Sequence, residues 1–186
     1  MTPHEFLNIL SRAAVLKTTT RHCQTQENRL ESVADHSWRT ALMAMLLSKE
    51  PEFQDTDMNK VIRMCLIHDL GEAFTGDIPT FEKTASDGER EETLFLSWVS
   101  SFPAAQKREW LELLNEMRQL QTREAQTYKA LDKLEAVISH NESDISTWLP
   151  LEYDLQLTYG KENVQFSEYL KDLSGCIDEW TKSKIL

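Results

Sequence analysis

Residues 61–74 read Val-Ile-Arg-Met-Cys-Leu-Ile-His-Asp-Leu-Gly-Glu-Ala-Phe, a helical run that is apolar nearly all round. It carries an imidazole and a carboxylate, His68 and Asp69, in its middle. A helix without a polar side is a central element on which the rest of the chain packs. A carboxylate inside it costs several kcal/mol unless its pKa rises, it pairs, or it coordinates a cation. This run therefore sets both the fold class and the chemical question.

Helix signals dominate the flanking sequence. Thr2, Pro3 and Glu5 form a capping box for a helix over about residues 3–16, with Phe6, Ile9, Leu10 and Ala13 on one face. Residues 17–31 are polar and aperiodic, a loop long enough to shape a site. Ser32 and Asp35 cap a second helix whose stripe is Trp38, Ala41, Leu42, Met45 and Leu46, and Pro51 forbids its continuation. Asp57 caps the third, over about 58–74. Further helices are expected near 87–101, 104–120, 123–142, 147–158 and 164–183, punctuated by Pro103 and Gly160. No alternating strand pattern appears, and five glycines and five prolines are few for a turn-rich β chain. The expected fold is all-α, a compact helical bundle with residues 1–186 in one domain. Trp38, Trp98, Trp110, Trp148 and Trp180 sit among leucines at helical spacing, as core or interface anchors.

Charge and cysteine usage narrow the partners. A net charge of −11 argues against a nucleic-acid polymer, which requires a basic stripe. A mononucleotide remains open, because one phosphate needs only a metal and one or two cationic side chains. The three cysteines, Cys23, Cys65 and Cys176, form no CxxC pair, which points to a reducing, cytoplasmic setting. The longest apolar run, Ala-Leu-Met-Ala-Met-Leu-Leu, falls well short of the roughly 20 residues of a membrane span, so no membrane association is expected.

The chemistry-bearing residues lie on three apolar helices. In a continuous helix His68 and Glu72 share a face, with Asp69 about 100° round. His36 falls in the first turn of the second helix, and Asp132 sits amid Tyr128, Ala130, Leu131, Leu134 and Val137. Two imidazoles and two carboxylates suit a divalent first-row metal and leave positions for water and a substrate oxygen. His140, about 12 Å along the helix from Asp132, is too far to share the ion, so one metal is expected. Arg21 and Lys83 are candidate charge-assisted donors to phosphate. Arg39, one turn after His36, is placed to support the site by pairing with an acid.

Three segments, Glu-Ser-Val-Ala-Asp-His-Ser-Trp-Arg, Ile-His-Asp-Leu-Gly-Glu-Ala-Phe-Thr-Gly-Asp-Ile-Pro-Thr and Lys-Ala-Leu-Asp-Lys-Leu-Glu-Ala, resemble in content and spacing the HD-domain superfamily of metal-dependent phosphohydrolases. The likeness is strongest to its bacterial 5′-deoxynucleotidase branch and runs over about residues 5–140. It implies a motif-bearing core there, with C-terminal helices near 147–183 packed on it. It implies His36, His68, Asp69 and Asp132 as ligands of one divalent ion (Mn, Co, Mg, Zn, Fe or Ni). Glu72 and Asp77 match family residues that act in catalysis or substrate placement. Arg21 matches the arginine of an Arg–Trp pair that contacts nucleotide, and His22 stands where the tryptophan is expected. The activity implied is release of phosphate from nucleoside 5′-monophosphates, deoxyribonucleotides preferred, by a homodimer. A phosphodiesterase or pyrophosphohydrolase of a signalling nucleotide would need more cations in the polar loop than this chain has. A non-catalytic, metal-stabilised binding protein would need neither Glu72 nor Asp77.

Overall fold

The helices begin where the sequence caps them. The computed structural model describes residues 1–25 and 29–186. Helix α1 (Pro3–Ala13) starts at Thr2, whose hydroxyl accepts from the Glu5 N–H while the Glu5 carboxylate accepts the Thr2 N–H at 2.6 Å. A 3-10 turn, Ala14–Lys17, replaces the last turn expected of that helix. The expected loop then contains two short strands, β1 (Thr20–Gln24) and β2 (Leu30–Ser32), paired antiparallel, which corrects the strand-free expectation. Residues 26–28 of that loop lie outside the described residues. The sequence hides these strands because their inward side chains include Arg21, Cys23 and Glu31, polar groups that break the apolar alternation of an ordinary strand.

Helices α2 (Val33–Leu47) and α3 (Met58–Ile67) start at Ser32 and Asp57. The third helix was expected to run unbroken to residue 74, but regular α geometry stops at Ile67. From there the ladder tightens to i→i+3 bonds, with Leu70 N–H to the Ile67 carbonyl and Glu72 N–H to that of Asp69, before the short α4 (Glu72–Thr75). The i,i+4 relation assumed for His68 and Glu72 therefore does not describe their placement. Helices α5 (Ala85–Ser100), α6 (Ala104–Gln119), α7 (Arg123–Glu142), α8 (Glu152–Thr158) and α9 (Glu168–Ile185) complete the bundle.

α2, α3 and α7 pack mutually at its centre, burying Val33, Ala44, Val61, Met64, Cys65, Leu131 and Leu134. Each such large apolar side chain contributes about 1.5–3 kcal/mol when fully buried, which offsets the cost of the polar groups enclosed beside them. α9 packs on α7, where the Asn141 amide donates to the Thr181 hydroxyl at 2.9 Å and to the Ile177 carbonyl.

The apolar stripe of α2 departs from expectation. Trp38 is 63% exposed, and Met45 and Leu46 are exposed with it, whereas Val33, His36, Ser37, Thr40, Ala41, Ala44 and Leu47 face inward. Periodicity identifies a face without saying what covers it, and α2 turns its other side to α3 and α7. Phe6, Leu7 and Leu10 of α1 are exposed too, and Leu7, Leu10, Trp38 and Leu66 border one shallow groove. Among the described residues no helix is long and apolar enough to cross a membrane.

Candidate metal centre and adjoining pocket

Three elements bring four side chains to one point. α2 supplies His36 from its first turn, the tightened segment after α3 supplies His68 and Asp69, and α7 supplies Asp132. The His36 and His68 Nε2 atoms stand 3.1 Å apart. Asp132 Oδ1 lies 3.2 Å from the first and 3.6 Å from the second, and Asp69 Oδ2 lies 3.6 and 3.1 Å from them. Donors about 2.1 Å from a common ion, at tetrahedral or octahedral angles, are separated by about 3.0–3.4 Å; the spacings of 3.1, 3.2 and 3.1 Å fall in that range, and the two of 3.6 Å lie just beyond it.

The tautomers sharpen the point. His68 Nδ1–H donates to the Cys65 carbonyl at 2.8 Å and His36 Nδ1–H donates to Glu135. With both Nδ1 atoms protonated, neutral rings turn two Nε2 lone pairs on each other, an arrangement that requires a cation between them, whether a proton or a metal. Burial disfavours a charged His68, yet Asp69 and Asp132 push its pKa up to about 10. Burial works the other way on Asp132, but Lys129, His36 and His68 hold it well below the carboxylate range. The donor set fits a divalent ion.

Behind His36 lies a polar layer that sequence reasoning missed. Glu135, wholly buried, accepts from His36 Nδ1–H with one oxygen and from Arg39 Nε–H with the other at 2.7 Å. Arg39 also donates to Glu142 and Ser139, and Ser139 donates to the buried Glu31, which accepts from the Cys23 thiol at 3.1 Å. A carboxylate behind a ligating imidazole fixes its tautomer and raises its basicity. The signal was present in α7, where Asp132, Glu135, Ser139 and Glu142 recur at helical spacing as a polar stripe. Arg39 does pair with acids, while Asp35 caps α2 and accepts from Arg29 at 2.7 Å.

Arg21 of β1 reaches towards the same centre. Its guanidinium faces Glu31 and Glu135 at 3.5 Å, and Nη1 is buried and makes no hydrogen bond among the described residues. Burial opposes its charge, but Glu135 and Glu31 raise its pKa further above the usual arginine range. Glu72 is 6% exposed, and its Oε2 has no hydrogen-bond partner among the described residues. Burial, with the charges of Asp69, Asp77 and Glu91, pushes its pKa up to about 10. Gly76, at φ 78°, turns the chain out of α4 so that Asp77 lines a pocket with Arg21 and His22. Burial likewise raises the Asp77 pKa, against the pull of Arg21. Lys83 does not border that pocket; its ammonium donates to Glu91 at 2.6 Å, within electrostatic reach of Glu72 and Asp69.

The pocket, about 500 Å³ with its mouth included, lies between the β1–β2 hairpin, the segment after Gly76, α7 and α8. His140 faces it, apart from the four converging side chains.

The chain matches the HD domain family over residues 13–174. It is similar to 5′-deoxynucleotidase HDDC2 of Dictyostelium discoideum, 31% identical over 114 residues that cover 58% of this chain and 60% of that protein. The Homo sapiens protein of the same name is 31% identical over 118 residues, covering 61% and 55%. The chain's matches thus span under two thirds of the length of these curated relatives. In fold it is similar to the crystal structure of a predicted metal-dependent phosphohydrolase from Magnetospirillum magnetotacticum MS-1. The TM-score is 0.80 at 26% identity, over 97% of this chain and 93% of that one.

Proposed function

Because the chain belongs to the HD domain family, we propose that it is a metal-dependent phosphohydrolase that releases phosphate from nucleoside 5′-monophosphates, 2′-deoxyribonucleotides preferred. The observation that carries this reading is the convergence of two imidazole and two carboxylate donors near the buried Arg21 guanidinium, whose Nη1 faces Glu135 at 3.5 Å and makes no hydrogen bond among the described residues. The names of the curated relatives point the same way.

His36, His68, Asp69 and Asp132 hold one divalent ion, which supplies Lewis acidity towards a phosphoryl oxygen and towards water. Arg21, ion-paired with Glu135 through Nη1, uses the hydrogen-bonding capacity left on that nitrogen to donate to the phosphate, and Lys83 adds a second positive charge from beside Glu91. Glu72, buried and retaining its proton, delivers it to the departing 5′ oxygen. Asp77, which lines the pocket together with Arg21, orients the sugar, and His22 forms part of the nucleoside wall. The three free cysteines suit a reducing cytoplasm.

The test is release of inorganic phosphate by protein reconstituted with Mn²⁺, Co²⁺, Mg²⁺ or Zn²⁺, across deoxy- and ribonucleoside 5′-monophosphates, cyclic nucleotides and guanosine polyphosphates. Turnover of the monophosphates, fastest with the deoxy series, is expected. Turnover confined to the cyclic or polyphosphorylated compounds would overturn the assignment.

The homodimer belongs to the same proposal. The exposed side chains of α1 and α2, with Leu66, form the apolar face that a second copy would cover. Trp38→Glu is expected to shift the protein from dimer to monomer in sedimentation equilibrium; a monomeric wild-type chain would remove the idea.

A further inference from the structure

Helix α8 has seven residues, and two of its polar side chains, Glu152 and Gln156, are buried one turn apart. Packing alone does not call for this, since each buried polar group costs free energy unless it is paired. The Glu152 partners are all in view. Its Oε1 accepts from His140 Nε2 at 2.9 Å and lies 3.3 Å from His22 Nε2, and its Oε2 accepts the Leu149 N–H at 2.6 Å. His140 Nδ1–H donates to the Ala136 carbonyl at 2.9 Å, which fixes the ring, and Trp148 packs edge-on against it. One side of the pocket is thus a rigid polar wall.

Gln156 differs. It is 4% exposed, it lines the same pocket, and its carboxamide makes no hydrogen bond among the described residues. A planar carboxamide offers an acceptor beside two donors, the pattern that pairs bidentately with the edge of a nucleobase. The surroundings suit a flat ring: Pro79, Phe81, Leu155 and Tyr159 give apolar surface, while Arg21 and Asp77 close the end of the pocket towards the metal centre.

We infer that Gln156 reads the nucleobase through an in-plane pair of hydrogen bonds, which makes α8 the base-specificity element of the site. The inference rests on the nucleotide reading above for the ligand class. A bidentate contact of this kind is worth about five- to 150-fold in discrimination between bases.

The test uses the metal-loaded full chain and the four 2′-deoxynucleosides, which lack phosphate and so read the pocket alone. Wild-type protein is expected to bind its preferred nucleoside at least about tenfold more tightly than the weakest. Gln156→Leu should compress that spread to about threefold or less by weakening the preferred base most. Gln156→Glu, which keeps the shape but offers only acceptors, should reorder the preference towards bases that present donors, and it carries the test if the leucine variant fails to fold. Equal affinity of wild-type protein for all four nucleosides, or an unchanged order and spread in the folded variants, would overturn the inference. Parallel kcat/KM measurements on the four 5′-monophosphates separate the two readings. Absence of hydrolysis would sink the phosphohydrolase assignment, while nucleoside selectivity would still decide the role of Gln156.

Discussion

Changing Asp132 to asparagine is expected to leave the bundle folded while removing the metal ion and about three orders of magnitude or more of turnover. An asparagine occupies the same volume, so the apolar neighbours on α7 keep their packing. Lys129, which donates to Asp132 Oδ2 at 2.8 Å, is 29% exposed and turns to solvent when that partner weakens. The amide supplies no anionic oxygen to the centre formed by His36, His68 and Asp69. Lewis-acid stabilisation of a phosphoryl transition state is worth several kcal/mol, and each 1.36 kcal/mol is a factor of ten in rate. Metal content per chain after dialysis, the melting temperature and the rate of phosphate release together check the result. Near-stoichiometric metal with activity within tenfold of wild type would show that Asp132 is not a ligand.

The layer behind His36 supplies the contrast. Glu135→Gln removes the charge facing His36, Arg39 and Arg21 in a site with no exposure. Such a change leaves buried cations poorly compensated, at a cost of about 3–5 kcal/mol in stability. It weakens metal affinity only about 10–100-fold, as expected for a partner of a ligand. A ligand and its support are therefore separable: the first variant loses metal and melts close to the metal-free wild-type chain, whereas the second keeps much of its metal and melts well below the wild type at the same metal loading.

What was legible in the sequence follows from which interactions are local. N-cap hydrogen bonds act within four residues, so Thr2 and Ser32, each in a capping box, and Asp57, a simple cap, mark helix starts correctly, and α7 occupies the expected residues. An ionisable group in an apolar helix is also a local anomaly, and His36, His68, Asp69 and Asp132 were singled out for that reason. Tertiary partners are not local. Nothing in α2 itself distinguishes the face that meets α3 and α7 from the face bearing Trp38. The hairpin was hidden because its inward residues serve the polar layer around Glu31 and Glu135. The break after Ile67 is a conflict of the same origin: the apolar pattern continues through residue 74, but the chain tightens where it presents His68 and Asp69 to His36 and Asp132. Glu152 and Gln156 became visible only through the pocket they share with β1.

Glu72→Gln is expected to lower kcat on nucleoside 5′-monophosphates by about 10²–10⁴-fold with little change in KM. The Glu72 carboxyl is buried beside Asp69, Asp77 and Glu91 and makes no hydrogen bond through Oε2 among the described residues, so its neutral form is favoured, the form that the proposed proton delivery needs. A glutamine fills the same space with no charge to bury, so the variant should melt no lower than the wild type, and the loss of rate is not a loss of fold. The sugar 5′ oxygen is a poor leaving group and needs that proton as the bond to phosphorus breaks. The 4-nitrophenolate of 4-nitrophenyl phosphate departs readily without one. The defect should therefore shrink to within about tenfold on the nitrophenyl ester, because the general acid contributes only where the departing oxygen is basic. Equal losses on both substrates would assign Glu72 to binding or to the metal environment, and no loss on either would remove it from the reaction. The comparison tests the proton and not merely the residue, since a misplaced phosphate would slow both substrates alike.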